Sequence, residues 1–217
     1  AIVGVACLVL FVVRQKRIEH PLISMRIFRS AHFRVSFVAQ NCLFASFMGI
    51  TLIVPLYVQG LLGASAVEAG VVFVPATILA VIVNPLAGIL SDKVGVRPVV
   101  LVAAALLSIG AVSMAFVGEG TSLWALTLMQ TIRGMGVSAL IGPLNSWGMG
   151  GLPREIMMDA SAFFAAVRQA CASLGTALMV LAVTALSAVA QTGAIDVAFA
   201  YQAAFGISAV LAICVLA

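Results

Sequence analysis

Charge is scarce in this sequence: Asp, Glu, Lys and Arg together make up 8% of its 217 residues, beside two His and four Cys. An ordinary soluble domain is about 25% charged, and a globule of this length cannot hide 64% apolar residues from water. The solvent is therefore lipid, which excludes a soluble enzyme, a secreted disulfide scaffold and a disordered tail. Cys7, Cys42, Cys171 and Cys214 are scattered through apolar stretches without paired spacing. They read as small hydrophobes rather than zinc ligands or disulfide partners. His20 and His32 lie in or beside one basic loop with no ligand constellation around them. There is no nucleophile elbow, phosphate loop or metal cluster. No catalytic residue, metal ligand or cofactor is therefore expected. The net charge of +4 would raise the question of nucleic acid, so the positions of the basic residues decide.

Six long apolar stretches run at about 35–58, 68–90, 99–117, 122–144, 161–187 and 199–217. Each approaches the roughly 20 helical residues that a bilayer requires. Residues 1–13 are apolar but too short to cross, and no Met or basic segment precedes them as in a signal peptide. They are expected to be the end of a truncated helix in a piece of a longer membrane protein. The loop 14–34 carries Arg14, Lys16, Arg17, Arg26, Arg29 and Arg34, the loop 91–98 carries Lys93 and Arg97, and the loop 145–160 carries Arg154. The alternate loops 59–67, 118–121 and 188–198 have no Lys or Arg. This asymmetry places the three basic loops in the cytoplasm and disfavours nucleic-acid binding. Tyr57, Trp124 and Tyr201 near outer ends and Trp147 near an inner end read as interfacial anchors. Ser65 and Glu68 have capping-box spacing at the start of the second span.

The second and third spans are joined by Gly88-Ile-Leu-Ser-Asp92-Lys93-Val-Gly95-Val-Arg97-Pro98. Gly88 suits close approach of helix backbones. Asp92, near a helix end, can accept backbone N–H bonds or pair with Lys93 or Arg97. Gly95 suits a turn at positive φ, and Pro98 suits the first turn of the next helix. A charged latch of this kind can be made in one conformer and broken in another. The plainer alternative is that Lys93 and Arg97 only set topology.

This segment resembles the signature of the major facilitator superfamily, which joins the second and third helices of a six-helix half on the cytoplasmic side. Val96 departs from it, standing where that family usually has a basic residue. The stretches HPLISMRIFRS, PLYVQGLLGASAVEAGVVFVPATI, IRGMGVSALIGPLNSWGMGGLP and SAFFAAVRQACASLGTAL are similar to the fourteen-helix drug:proton antiporters of that superfamily. The resemblance implies an all-α integral membrane fold. Residues 1–13 would be the end of a linker helix, 14–34 a basic cytoplasmic loop and 35–217 the six-helix C-terminal half.

Ionisable or amide groups at bilayer depth are functional candidates because lipid leaves them unsatisfied. Arg133 lies midway along the fourth span, at the edge of a stripe of Thr127, Gln130, Gly134 and Ser138. The pattern Gln130-Thr-Ile-Arg133-Gly134 is similar to the R-x-x-Q-G motif on the equivalent helix of the N-terminal half, with Arg and Gln exchanged. A role in coupling and a structural role pinned to carbonyls or to another half both stay open. Arg168 shares a small, polar stripe with Ser161, Ala165, Ala172, Gly175 and Thr176, and is close enough to the cytoplasmic end to snorkel. Asn84, between Pro75 and Pro85, is the substrate-contact candidate of the second span. Gln40 and Asn41 are candidates from the first span, with helix-to-helix hydrogen bonding as the commoner role for such amides. None of the seven acids falls at mid-membrane, so a proton-titrating group is expected in another half unless Glu68 serves.

The expected partners are the lipid bilayer, a missing N-terminal half, a small-molecule substrate and protons. The expected place is the plasma membrane. The resemblance implies proton-coupled export of drugs or other amphipathic molecules by alternating access. A symporter of nutrients on the same scaffold and a non-transporting receptor or scaffold are the alternatives.

Overall fold

The computed structural model describes residues 27–28, 30–118, 120–190 and 196–216, and of residues 154 and 155 only the backbone. The expected helix 1–13, most of the loop 14–34, His20 and Cys7 lie outside the described residues. The helices are α1 (Ala31–Gly60), α2 (Ala66–Val71), α3 (Val74–Val94), α4 (Val96–Met114), α5 (Leu123–Gly150), α6 (Arg154–Ala190) and α7 (Val197–Leu216). Five stretches of helix are long and apolar enough to span a membrane: α1, α2 with α3, α4, residues 156–190 of α6, and α7. Helix α5 has 28 residues, about 42 Å at 1.5 Å per residue, and it carries the buried polar groups described below.

The starts of α1, α2 and α5 are fixed by short polar side chains. The Ser30 hydroxyl accepts from Phe33 N–H at 3.4 Å, and Ser122 accepts from Ala125 N–H at 3.3 Å. Ser65 and Glu68 form the reciprocal capping box that their spacing implies. The second apolar stretch is not one helix, because α2 ends at Val71 and Pro75 falls in the first turn of α3. A proline lacks the N–H that the helix interior needs, so it begins a new helix here rather than bending an old one. Pro85 does lie inside α3.

Helix α1 packs against α5, α6 and α7, α5 packs against α3 and α4, and α4 packs against α7. Leu43, Leu107, Leu140 and Ala212 join these helices in one apolar cluster. Ile53, Met114, Leu126, Met179 and Phe205 belong to a second. A third cluster is aromatic: Phe28 meets Phe33, Phe37 and Phe163 edge-on at 5.6 to 5.9 Å between centroids. Glycines set the closest helix approaches. A Cβ on Gly110 of α4 would stand 2.6 Å from the Arg133 backbone nitrogen in α5, and one on Gly175 of α6 would stand 2.6 Å from the Ala45 carbonyl oxygen in α1.

Two of the expected interfacial anchors are internal instead. Tyr57 and Tyr201 are buried, with the Tyr57 hydroxyl donating to the Gly118 carbonyl at 2.7 Å and the Tyr201 hydroxyl to the Leu56 carbonyl at 3.3 Å. Their ring bodies fill the second apolar cluster while the hydroxyls tie loops and helix ends. Trp124 is 84% exposed, as an anchor requires. Trp147 is half-buried, its ring edge-on to His32 at 4.8 Å.

Gly110→Val should force α4 and α5 apart, lowering stability by about 1–3 kcal/mol, the usual cost of overpacking. A thermal melt of the detergent-solubilised protein should show a fall in midpoint. Gly206→Ala, where the added Cβ meets open space, should show none.

Candidate functional site

Arg133 is fully buried in the middle of α5. Its Nη2 donates to the Ser46 carbonyl at 3.0 Å and lies 3.2 Å from the Ser46 hydroxyl. Ser46 of α1 is also 2.7 Å, hydroxyl to hydroxyl, from Ser208 of α7. The glycines placed around Arg133 make this possible. Gly110 admits its backbone against α4, and a Cβ on the next residue, Gly134, would meet the Ala76 Cβ of α3 at 2.7 Å. Arg133 thus stands where α1, α4 and α5 meet, its guanidinium held by α1 and one hydrogen bond removed from α7. Its Nε and Nη1 have no partner among the described residues, and neither does the Oε1 of buried Gln130 one turn earlier.

The other amides do not bridge helices. Gln40 is buried and both its amide atoms lack a partner among the described residues. Asn41 Nδ2 donates to the Phe37 carbonyl of its own helix at 2.7 Å, leaving Oδ1 unpartnered. Serines bond across helices where these amides do not: Ser36 donates to the Leu144 carbonyl, and Ser108 to the Ala212 carbonyl at 3.2 Å. A hydroxyl has a short reach and fits between close-packed helices where an amide does not.

Asn84 is exposed on α3, its Oδ1 3.6 Å from where a Cβ of Gly142 would stand. Arg168 does not snorkel freely. It is half-buried, with its guanidinium carbon 4.4 Å from the centroid of the Phe44 ring, an attraction of cation to π-face. The small stripe around Arg168 divides: Ala172 and Gly175 are buried against the bundle, while Ser161 and Ala165 are exposed.

The turn between α3 and α4 has the backbone its sequence asks for. Gly95 sits at φ 93, Pro98 lies in the first turn of α4, and the Gly95 N–H donates to the Ser91 carbonyl at 3.0 Å. Asp92, Lys93 and Arg97 are exposed and make no hydrogen bond or ion pair among the described residues. Gly88 does not bring two backbones together within this chain, since a Cβ there would meet open space. Counting 100° per residue, Asn84, Gly88 and Asp92 fall within about 80° on one face of α3. That helix buries only Ala76, Ala87 and Ser91. All four acids with described side chains, Glu68, Asp92, Asp159 and Asp196, are exposed, and no group of His, Cys, Asp and Glu suited to a metal occurs among the described residues.

Ser46, Ser208 and Phe44 were not legible as site residues. A serine in an apolar helix ordinarily bonds back to its own helix, and its partner across the bundle is set by tertiary packing. The polar stripe on α5 was the signal that pointed to Arg133.

Comparison with known proteins gives a consistent result. A family model described as Major Facilitator Superfamily matches residues 1–176. The chain is 28% identical to the uncharacterized MFS-type transporter YcnB of Bacillus subtilis, over 98% of this chain and 45% of that protein. It is 26% identical to the multidrug export protein EmrB of Haemophilus influenzae, over 82% of this chain and 35% of that protein. It is 28% identical to the riboflavin transporter RibZ of Clostridioides difficile, over 80% of this chain and 39% of that protein. The chain spans less than half the length of these relatives.

A partly satisfied buried charge is costly, and an apolar residue of similar length is often neutral or stabilising in its place. Arg133→Met should therefore leave the melting midpoint unchanged or raised, whereas Ser46→Val, which leaves the guanidinium without its acceptor hydroxyl, should lower it. Both are read by thermal denaturation in detergent.

Proposed function

We propose that this chain, which belongs to the Major Facilitator Superfamily, is the C-terminal helical half of a secondary active transporter that exports amphipathic small molecules in exchange for protons. Alternating access then arises from this half rocking against the other around a midplane cavity, with no covalent chemistry. The observation that carries the reading is the turn between α3 and α4. It presents exposed Asp92, Lys93 and Arg97 at a helix junction held by Gly95, without a partner among the described residues. Charges left free at the edge of a lipid-solvated bundle, beside a helix face that Gly88 leaves bare, suit a latch that closes on a second unit.

Asp92 is the pairing group of that latch, with Lys93 and Arg97 beside it and Gly88 and Gly95 shaping its backbone. Asn84, on the same face of α3, is the substrate contact. Arg133 links α5 to α1 and α7 where the cavity wall must move. Gln40, Asn41, Gln130 and Arg168 are secondary polar candidates. The proton-titrating acid belongs to the other half, because the acids with described side chains are exposed. The segments 14–34, 91–98 and 145–160 face the cytoplasm, the last two being helix ends joined through Gly95 and through 151–153, and the membrane is the plasma membrane. A second reading, a symporter importing a nutrient, draws on the likeness to a riboflavin transporter.

Cells making the full-length protein should accumulate less of an amphipathic dye than cells without it, and collapsing the proton gradient should remove the difference. Asp92→Asn should abolish the difference with the protein still inserted at normal level. Gradient-driven uptake of a nutrient without dye efflux would replace export by import. Undiminished efflux in Asp92→Asn would reduce the turn to a topology signal.

A further inference from the structure

We propose that the groove between α3 and α4 seats one anionic phospholipid of the cytoplasmic leaflet, its acyl chain between the helices and its phosphate at Arg97. Helices α3 and α4 leave their shared turn and touch each other far less than either touches α5. The gap is a cavity of about 320 Å³ walled by Leu86 and Leu90 of α3 and Val102 and Leu106 of α4, with Met135 and Ala139 of α5 as its floor. At its end nearest the turn it shares Val94 and Pro98 with a second cavity of about 370 Å³, lined also by His32, Arg97 and Trp147. The two adjoin at those residues, the first apolar along the helices and the second lined by the Arg97 cation.

Size and charge select the occupant. A methylene is close in size to a water, whose share of liquid volume is about 30 Å³, so the apolar part takes on the order of ten chain carbons. A helix, about 10–12 Å across with its side chains, does not enter such a space. The mouth lies at the end of the bundle that carries Arg34, Lys93 and Arg97, and basic residues mark the side on which membrane surfaces are anionic and basic pockets between helices bind lipid headgroups. Trp147 stands there with an apolar body and a donor N–H, the pattern of the headgroup level. Asp92, at about 160° from Leu90 around α3, lines neither cavity and does not oppose an anion.

The test is lipid retention on the purified full-length protein, read by native mass spectrometry after exchange into mixed micelles of dioleoyl phosphatidylglycerol and dioleoyl phosphatidylcholine. One phosphatidylglycerol should remain bound, preferred by about fivefold, the effect of one surface cation. Arg97→Gln should bring the two lipids to parity, while Arg97→Lys keeps the preference. Val102→Trp and Leu106→Phe fill the groove and should lose both lipids. Soluble glycerol phosphate should displace nothing. Equal retention of both lipids by the unaltered protein, no bound lipid at all, retention untouched by both groove-filling variants, or displacement by glycerol phosphate alone would each overturn the proposal.

Discussion

The guanidinium of Arg133 is wholly buried in a bundle whose outer surface is apolar, and its Nη2 is held by the carbonyl and hydroxyl of Ser46. Lipid supplies no water to complete such a group, so the protein must gather its polar atoms inside and turn aliphatic ones outward. That constraint organises the surrounding contacts. Gly110 and Gly134 let α4 and α3 close on the helix that carries the arginine, and Ser46 passes the contact on to Ser208 of α7. Without small residues at those points, the arginine would be displaced toward the hydrocarbon.

The same constraint explains why the polar groups divide into two sets. Serines and threonines satisfy themselves on carbonyls of their own or a neighbouring helix, as Ser91 does on Ala87 at 2.7 Å and Ser108 on Ala212 at 3.2 Å. The amides and the arginine retain unpaired atoms at Gln40, Asn41, Gln130 and Arg133. These are the side chains with spare hydrogen-bonding capacity inside the bundle, available when helices shift against one another. The exposed charges at the turn between α3 and α4 stand apart from them, outside the buried polar set.

Much of this arrangement was legible in the residues. The alternation of apolar stretches with basic and non-basic loops marks a helical membrane protein, and the run from Gly88 to Pro98 marks its superfamily. The positive φ of Gly95 and the capping box of Ser65 with Glu68 follow from local chemistry that a single segment carries in full. What was not legible depended on partners far along the chain. Ser46 and Arg133 are 87 residues apart, and Ser46 and Ser208 are 162 apart, so no local pattern pairs them. Tyr57 and Tyr201 have the position of interfacial anchors, but only the packed bundle shows their rings turned inward. Gly88 suits close approach of helix backbones, and among the described residues a Cβ there would meet open space.

Coupled movement of protons and substrate in opposite directions is the claim on which the rest hangs. It is tested most directly with the full-length protein reconstituted in liposomes that enclose a pH-sensitive dye. When an amphipathic substrate is placed on one side without any imposed gradient, protons should move toward that side as substrate leaves it, and the Asp92→Asn protein should move neither. Protons travelling with the substrate, or substrate moving with no proton flux, would contradict the account.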